Sequence, residues 1–390
     1  MAKEMSKSRM KVYYLTASAI IMCYMSMIGA IADIAAYFPS YSVQVIQTGV
    51  TAINLAIIGG ALTAGFLSLK FSKKTIMITG LSFVILGGVC GFLFHDSIQL
   101  FYLWSLVIGA GFGMFTPTMT SLLVDYFDGA ERNKIAGMQT SFVNGGGVLL
   151  TFAGGLLATI AWNYSYLVFL VAVPILIIFA RNLPSKGHAS AEKSFWHKIP
   201  INVVYYAVSI IVFMLLYNVF PSNIALFLRE NDLGNASMAG GVNAVFMCGG
   251  VFFGFVFTKL SLKIGNYLFV VAHMMLLLCY FTLCHTNSLA VVFVVSFVGG
   301  MSISMTMPQA LYAVSTKIPP EASVATFAMI ASISPNIASF ISPVAIGSFS
   351  KLLSDAGDSV SRYTAAAILA LVFAIAQFIF ITLRQRRSTT

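Results

Sequence analysis

The chain is short of charge. Only 9% of its 390 residues are Asp, Glu, Lys or Arg, where a soluble domain carries about 25%. So little charge cannot cover a water-exposed surface, which excludes an ordinary soluble protein. Cysteine is scarce as well. Cys23, Cys90, Cys248, Cys279 and Cys284 all lie in apolar runs, with no paired spacing. That excludes a disulfide framework and a thiolate metal site, and leaves small core residues. No Gly-rich loop ends in a lysine that could hold nucleotide phosphates. No His/Cys/carboxylate cluster suits a metal, and no Ser-His-Asp set is placed for nucleophilic attack. The alternating apolar pattern of a membrane barrel is also missing. The sequence predicts no enzyme, no catalytic residue, no metal and no cofactor.

What is there is apolar length. Hydrophobic residues make up 59% of the chain. About 20 consecutive apolar residues cross the roughly 30 Å of bilayer hydrocarbon. Twelve runs qualify: 12–34, 48–68, 75–94, 99–123, 135–159, 163–180, 201–226, 238–258, 266–284, 288–313, 324–348 and 362–383. In lipid each must close its own backbone hydrogen bonds, so each is read as a helix. With the N-terminus placed inside, nineteen of the 22 lysines and arginines fall on the inner side, and Arg229, Lys351 and Arg362 fall outside. This is the positive-inside bias, and it puts both termini in the cytoplasm. It also accounts for the net charge of +10 without nucleic acid as a partner. The first run is long and lacks a small-x-small cleavage site, so it reads as a retained helix rather than a signal peptide. No lysine or arginine is expected within a helix, which argues against a carrier of phosphate esters or dicarboxylates.

Two short stretches repeat. "GFLSLKFSKK" (65–74) and "GFVFTKLSLK" (254–263) share Gly, Phe, Lys, Ser and Lys. The register extends from Asn54/Asn243 through Gly60/Gly249. "DIAAYF" at Asp33 aligns with "NIALFL" at Asn223, Pro117 with Pro308, and Asn144 with Asn336. An offset that stays between 189 and 192 over four pairs of runs indicates a duplicated unit. The polar stretch 181–200, "RNLPSKGHASAEKSFWHKIP", lies between the halves. The expected organisation is a six-helix bundle over 1–180, a cytoplasmic linker over 181–200 and a second bundle over 201–390.

These residues carry a resemblance. Parallel six-helix repeats joined by an inner linker build one large class of secondary transporters. The chain resembles a major facilitator superfamily (MFS) transporter along nearly its whole length. The family's signature between helices 2 and 3, roughly G-x-L-a-D-R-x-G-R-R/K, is matched by Gly65, Leu67, Lys70, Lys73 and Lys74. Leu69 stands in place of its aspartate and Ser72 in place of its second glycine. The resemblance implies an all-α membrane fold of two pseudo-symmetric six-helix bundles, with helices 1, 4, 7 and 10 lining the path. It further implies that the lysine hinge latches an inner gate against Asp125. The drug/proton antiporter branch is matched less well. Ser105 stands where its helix 4 arginine would be, and "NGGGVLLTFAGG" lacks its proline.

Charges in a bilayer are costly, so an intramembrane ionisable residue is a candidate for function. Among the acids only Asp33 lies within an apolar run. It reads either as a protonatable, cation-attracting carboxylate or as a helix-end acid in headgroup water. His273 reads as a proton relay or as a histidine bonded to a neighbouring helix. The amides Asn54, Asn144, Asn218, Asn223, Asn243, Gln309 and Asn336 need partners in lipid and should face the bundle interiors, as path residues or as interhelical bonds. Tyr24, Trp104, Tyr205, Tyr217 and Tyr312 are aromatic path candidates, with core packing as the alternative for each. The expected function is secondary active transport of a small neutral or cationic organic solute by alternating access, with proton-coupled efflux as the leaning. The alternatives are an uptake symporter or uniporter for a polar metabolite, and a membrane sensor or scaffold that kept the fold without transport. The expected setting is a monomer in an inner (plasma) membrane, with lipid, solute and protons as partners.

Overall fold

In the computed structural model of the chain, residues 7–68, 70–127, 129–183, 201–315, 330, 333–354 and 357–389 are described. Every secondary-structure element among them is helical. Eleven helical stretches are long and apolar enough to cross a membrane, and Phe142–Ala158 is a shorter apolar one. The chain divides into two units, Met1–Lys193 and Ser194–Thr390.

The first unit runs α1 (Lys7–Ser18), a 3₁₀ segment (Cys23–Ala30), α2 (Ile31–Tyr37), α3 (Val43–Leu67), α4 (Lys73–Leu93), α5 (Ile98–Tyr126), α6 (Gly129–Ala158), a second 3₁₀ segment (Trp162–Val171) and α7 (Ala172–Asn182). The caps are legible in sequence. Ser42 accepts from the Val45 N–H and Ser72 from the Thr75 N–H, so each satisfies an otherwise orphaned donor. Ser72, where the family signature has glycine, is therefore the N-cap of α4. The core is aromatic: Phe101, Phe112, Phe115 and Phe169 are fully buried.

The second unit runs α8 (Ile201–Tyr217), α9 (Val219–Glu230), α10 (Ala236–Ile264), a 3₁₀ turn (Gly265–Tyr267), α11 (Leu268–Cys284), α12 (Leu289–Met301), α13 (Ile303–Ser315), α14 (Ser334–Leu353) and α15 (Ser359–Thr389). Leu371, Val372, Ile375 and Phe378 of α15 are exposed. An exposed apolar face suits lipid, not water.

Several expectations shift. The first run is not one α-helix but α, 3₁₀ and α in succession. The twelfth begins at Ser359, ahead of the expected residue 362, because Asp358 and Ser361 form a capping turn. Arg362 thus lies inside a helix and is 6% exposed, which corrects the reading that no lysine or arginine lies within a helix. The repeated hinge also has two structures. In the first unit the chain turns between α3 and α4, whereas in the second α10 continues through Ser261 and turns at Gly265, whose φ is 51°.

The repeat is clearest where backbones touch. A Cβ at Gly60 of α3 would lie 2.3 Å from the Ala110 carbonyl oxygen of α5, and one at Gly249 of α10 would lie 2.0 Å from that of Phe297 on α12. Only glycine permits these crossings. Gly65 and Gly254 have open space at the same position. Gly249→Ala should therefore destabilise the protein by about 1–3 kcal/mol as an overpacked contact. Gly254→Ala, in the same helix, should stabilise it by up to about 1 kcal/mol through helix propensity. Thermal unfolding of both variants in one detergent checks the contrast.

Candidate functional site

In the first unit the site is built on the interrupted first span. Its middle is pressed against α6: a Cβ at Gly146 would sit 1.9 Å from the Ala19 carbonyl oxygen, and one at Gly154 would sit 2.3 Å from that of Ser26. The "NGGG" and "AGG" glycines thus let α6 run against backbone. Along this contact the chain adopts 3₁₀ geometry, whose hydrogen bonds are poorer than those of an α-helix. Asp33 follows in the first turn of α2 and is half-buried.

One turn beyond Asp33, Tyr37 donates to Asp96 Oδ1 at 3.3 Å. Its ring lies 5.5 Å from that of Trp162, and the His95 ring stands edge-on to Trp162 at 5.4 Å. His95 Nδ1 donates to the Phe92 carbonyl at 2.9 Å, which fixes its tautomer. This cluster pins the end of α2, and sequence reasoning missed it because its members come from three separate connections.

The remaining candidates of this unit are spread out. Asn54 is buried and donates to the Thr51 carbonyl of its own helix at 3.2 Å. Asn144 is half-buried on α6. The Tyr24 ring meets Phe112 edge-on at 6.0 Å. Trp104 Nε1 donates to the Phe94 carbonyl at 2.9 Å, at the end of α4. In the hinge, Lys70 lies in the turn after α3, and Lys73 and Lys74 open α4. Leu69 and the side chain of Asp125 lie outside the described residues, as does the side chain of Tyr312.

In the second unit the interrupted element is the span 203–230, which breaks at Asn218 between α8 and α9. Pro221 cannot supply the N–H that the Tyr217 carbonyl would otherwise receive. Neighbouring hydroxyls take the adjacent carbonyls: Ser342 of α14 donates to Leu215 O, and Tyr280 of α11 to Leu216 O, each at 2.6 Å. Asn218 donates to Ser339 Oγ of α14 at 2.9 Å. Asn223 donates to the Val219 carbonyl and accepts from Arg362 Nη1 at 3.0 Å. Gln309 accepts from Ser261 at 2.6 Å and donates to Asn266 at 3.1 Å, and Asn266 in turn donates to Tyr206 OH. Asn336 is half-buried on α14. Tyr205 stacks on Phe380 and Tyr217 packs on Phe246, both with ring centroids 4.7 Å apart.

Two groups differ from these. His273 is fully buried. Nδ1 donates to the Phe269 carbonyl at 2.7 Å, while Nε2 has no hydrogen-bond partner. Asn243 is 3% exposed, and among the described residues neither its Oδ1 nor its Nδ2 has a hydrogen-bond partner. Phe246, one turn along the same face of α10, stacks on Phe220 of α9 at 4.3 Å. The pseudo-symmetric pair Asn54/Asn243 is thus split, with one amide bonded and the other bare.

Helical repeats with interrupted spans, buried amides and a carboxylate within a span fit a multi-pass membrane protein. The family model of the Major Facilitator Superfamily matches residues 14–343, and the chain belongs to that family. It is a transporter and not an enzyme. Solved structures with the same fold include a bacterial homologue of the human lysosomal transporter Spinster, at 14% identity and TM-score 0.75, covering 96% of each chain. The D-xylose–proton symporter matches at 12% identity and TM-score 0.72, covering 95% of this chain and 97% of that one. The nucleoside transporter NupG matches at 10% identity and TM-score 0.74, covering 95% and 98%. The Methylenomycin A resistance protein of Bacillus subtilis (strain 168) is 33% identical over 127 residues, which span 32% of this chain and 25% of that relative.

Proposed function

We propose that the protein is a secondary active transporter that exports a small neutral or cationic organic solute by alternating access, in exchange for protons taken up at Asp33. The observation that carries this reading is Asp33 itself. It is a half-buried carboxylate inside a membrane span, placed where a 3₁₀ segment gives way to α-helix. A carboxylate there attracts a cation or takes a proton, and it follows directly on a segment whose 3₁₀ hydrogen bonds are poorer than those of an α-helix. The partial likeness to a resistance protein favours export, and the shared fold of a proton symporter is compatible with proton coupling. Arg362, the buried cation of the second unit, is bonded to Asn223, so it does not favour an anionic solute. The lysine-rich sides face the cytoplasm in this reading, and both termini with them. The unit acting is a monomer in the inner membrane, and 181–200 links its two halves.

Purified protein should be stabilised by its solute in proportion to occupancy, by about 2.7 kcal/mol at a hundredfold excess over Kd. A thermal-shift screen across a panel of organic cations, neutral antibiotics, nucleosides and sugars tests the substrate class. Stabilisation by cationic or amphipathic members supports the reading. Stabilisation confined to sugars or nucleosides would replace export with uptake of a polar metabolite.

A further inference from the structure

The most unusual charge in the described residues is Arg362. It is the one Lys or Arg side chain buried among them, at 6% exposed, and it lies in the membrane span Ser359–Leu383. Its Nη1 donates to the neutral Asn223 carboxamide at 3.0 Å, and its Nε has no hydrogen-bond partner among the described residues. The carboxylates whose field reaches it are Glu230 and Asp358. Neither merely decorates the surface. Asp358 Oδ1 accepts from the Ser361 N–H at 2.9 Å, capping α15. Glu230, the last residue of α9, accepts from the Ser359 N–H at 2.9 Å and also from the Ser359 hydroxyl. One helix therefore ends by capping the start of another, with negative charge at the positive end of a helix dipole. Phe227 packs edge-on against Tyr363 at 5.7 Å, and Tyr363 OH donates to the Phe220 carbonyl at 3.5 Å.

Apart from the Asp358 cap, these contacts join α9 to α15. The other half of the same span has anchors of its own: α8 meets α14 through Ser342 and Asn218, α11 through Tyr280, and the far end of α15, well beyond its first turns, through Tyr205 stacked on Phe380. The change of partner falls at Asn218, where the helix is interrupted and Pro221 has removed a backbone donor. We propose that α9 and the first turns of α15 form one clamped body, locked by Arg362, and that the span bends at Asn218 by moving this body relative to α8. Arg362 is then a positioning residue for Asn223 and not a binding residue for solute. A cation with a neutral partner and one bare donor is an incompletely satisfied lock, which opens more readily than a fully paired one. The inference needs no solute and stands apart from the assignment of Asp33.

Hydrogen exchange followed by mass spectrometry, on the full chain in detergent, tests it. In Arg362→Gln, amides of 222–230 and 359–366 should exchange about tenfold faster together, with 203–217 unchanged. Glu230→Gln keeps an acceptor oxygen and removes the charge, and should raise exchange in the same two segments by a smaller factor. Ser339→Ala should do the reverse, loosening 203–218 and leaving 222–230 protected. The clamp is overturned if Arg362→Gln and Glu230→Gln loosen 359–366 alone, or if both halves of the span respond equally to every variant. Should Arg362→Gln fail to fold, Glu230→Gln and Ser339→Ala decide by the same criteria.

Discussion

In proteoliposomes carrying Asp33→Asn, a pH gradient should build no solute gradient. One proton moving down one pH unit releases about 1.4 kcal/mol, enough to hold a roughly tenfold solute ratio for a one-to-one exchange. Wild-type vesicles should approach that ratio, and the variant should stay near one. Exchange of labelled for unlabelled solute with no gradient should survive, because an amide of the same shape can occupy the first turn of α2 without carrying a proton. The pairing of lost coupling with retained exchange is specific. Loss of both would mean Asp33 binds solute directly. Loss of neither would make it a helix-end acid, and His273, whose Nε2 lacks a partner, becomes the next residue to test.

The second large effect concerns Asn243, where stability and function should move in opposite directions. A buried donor and acceptor left unsatisfied cost about 1–3 kcal/mol each. Asn243→Leu removes both on the same branched skeleton and should raise the unfolding midpoint by several degrees. If Asn243 is a path residue that meets the solute, the same change should weaken solute-induced stabilisation at least tenfold. Functional sites commonly keep such costly groups. Asn54→Leu is the control. It deletes a donor already bonded to Thr51 and should gain no stability. A more stable Asn243→Leu protein with undiminished solute binding would place Asn243 in the core instead.

The helical spans were legible because lipid leaves the backbone one option, so hydropathy and length carried the assignment. The duplication was legible too, and Gly60 and Gly249 play the same packing role in each unit. Other features depend on what a neighbour presents. The 3₁₀ segment Cys23–Ala30 has no proline to announce it and lies against the α6 glycines instead. The break at Asn218 is signalled by Pro221, but hydroxyls on α11 and α14 satisfy its carbonyls. The repeated hinge misled because the same letters serve two structures: Ser72 caps a helix, while Ser261 lies inside one and bonds Gln309. Read as a capping signal, "DSVSR" starts the last helix at Ser359, three residues ahead of the arginine that opened the expected run. The bare amide of Asn243 had no signature at all, since the sequence marks a polar residue and only the surroundings say whether it is paired.

Counterflow tests the central claim most directly. Vesicles holding wild-type protein are loaded with an unlabelled solute chosen for its stabilising effect, then diluted into a trace of the labelled form with no nucleotide and no ion gradient. A transporter working by alternating access should draw labelled solute inside to a transient level above equilibrium, with the overshoot vanishing when the internal solute is omitted. A solute that stabilises the protein fully yet shows no overshoot would contradict the account, and would mark the chain as a member of the family that binds without carrying.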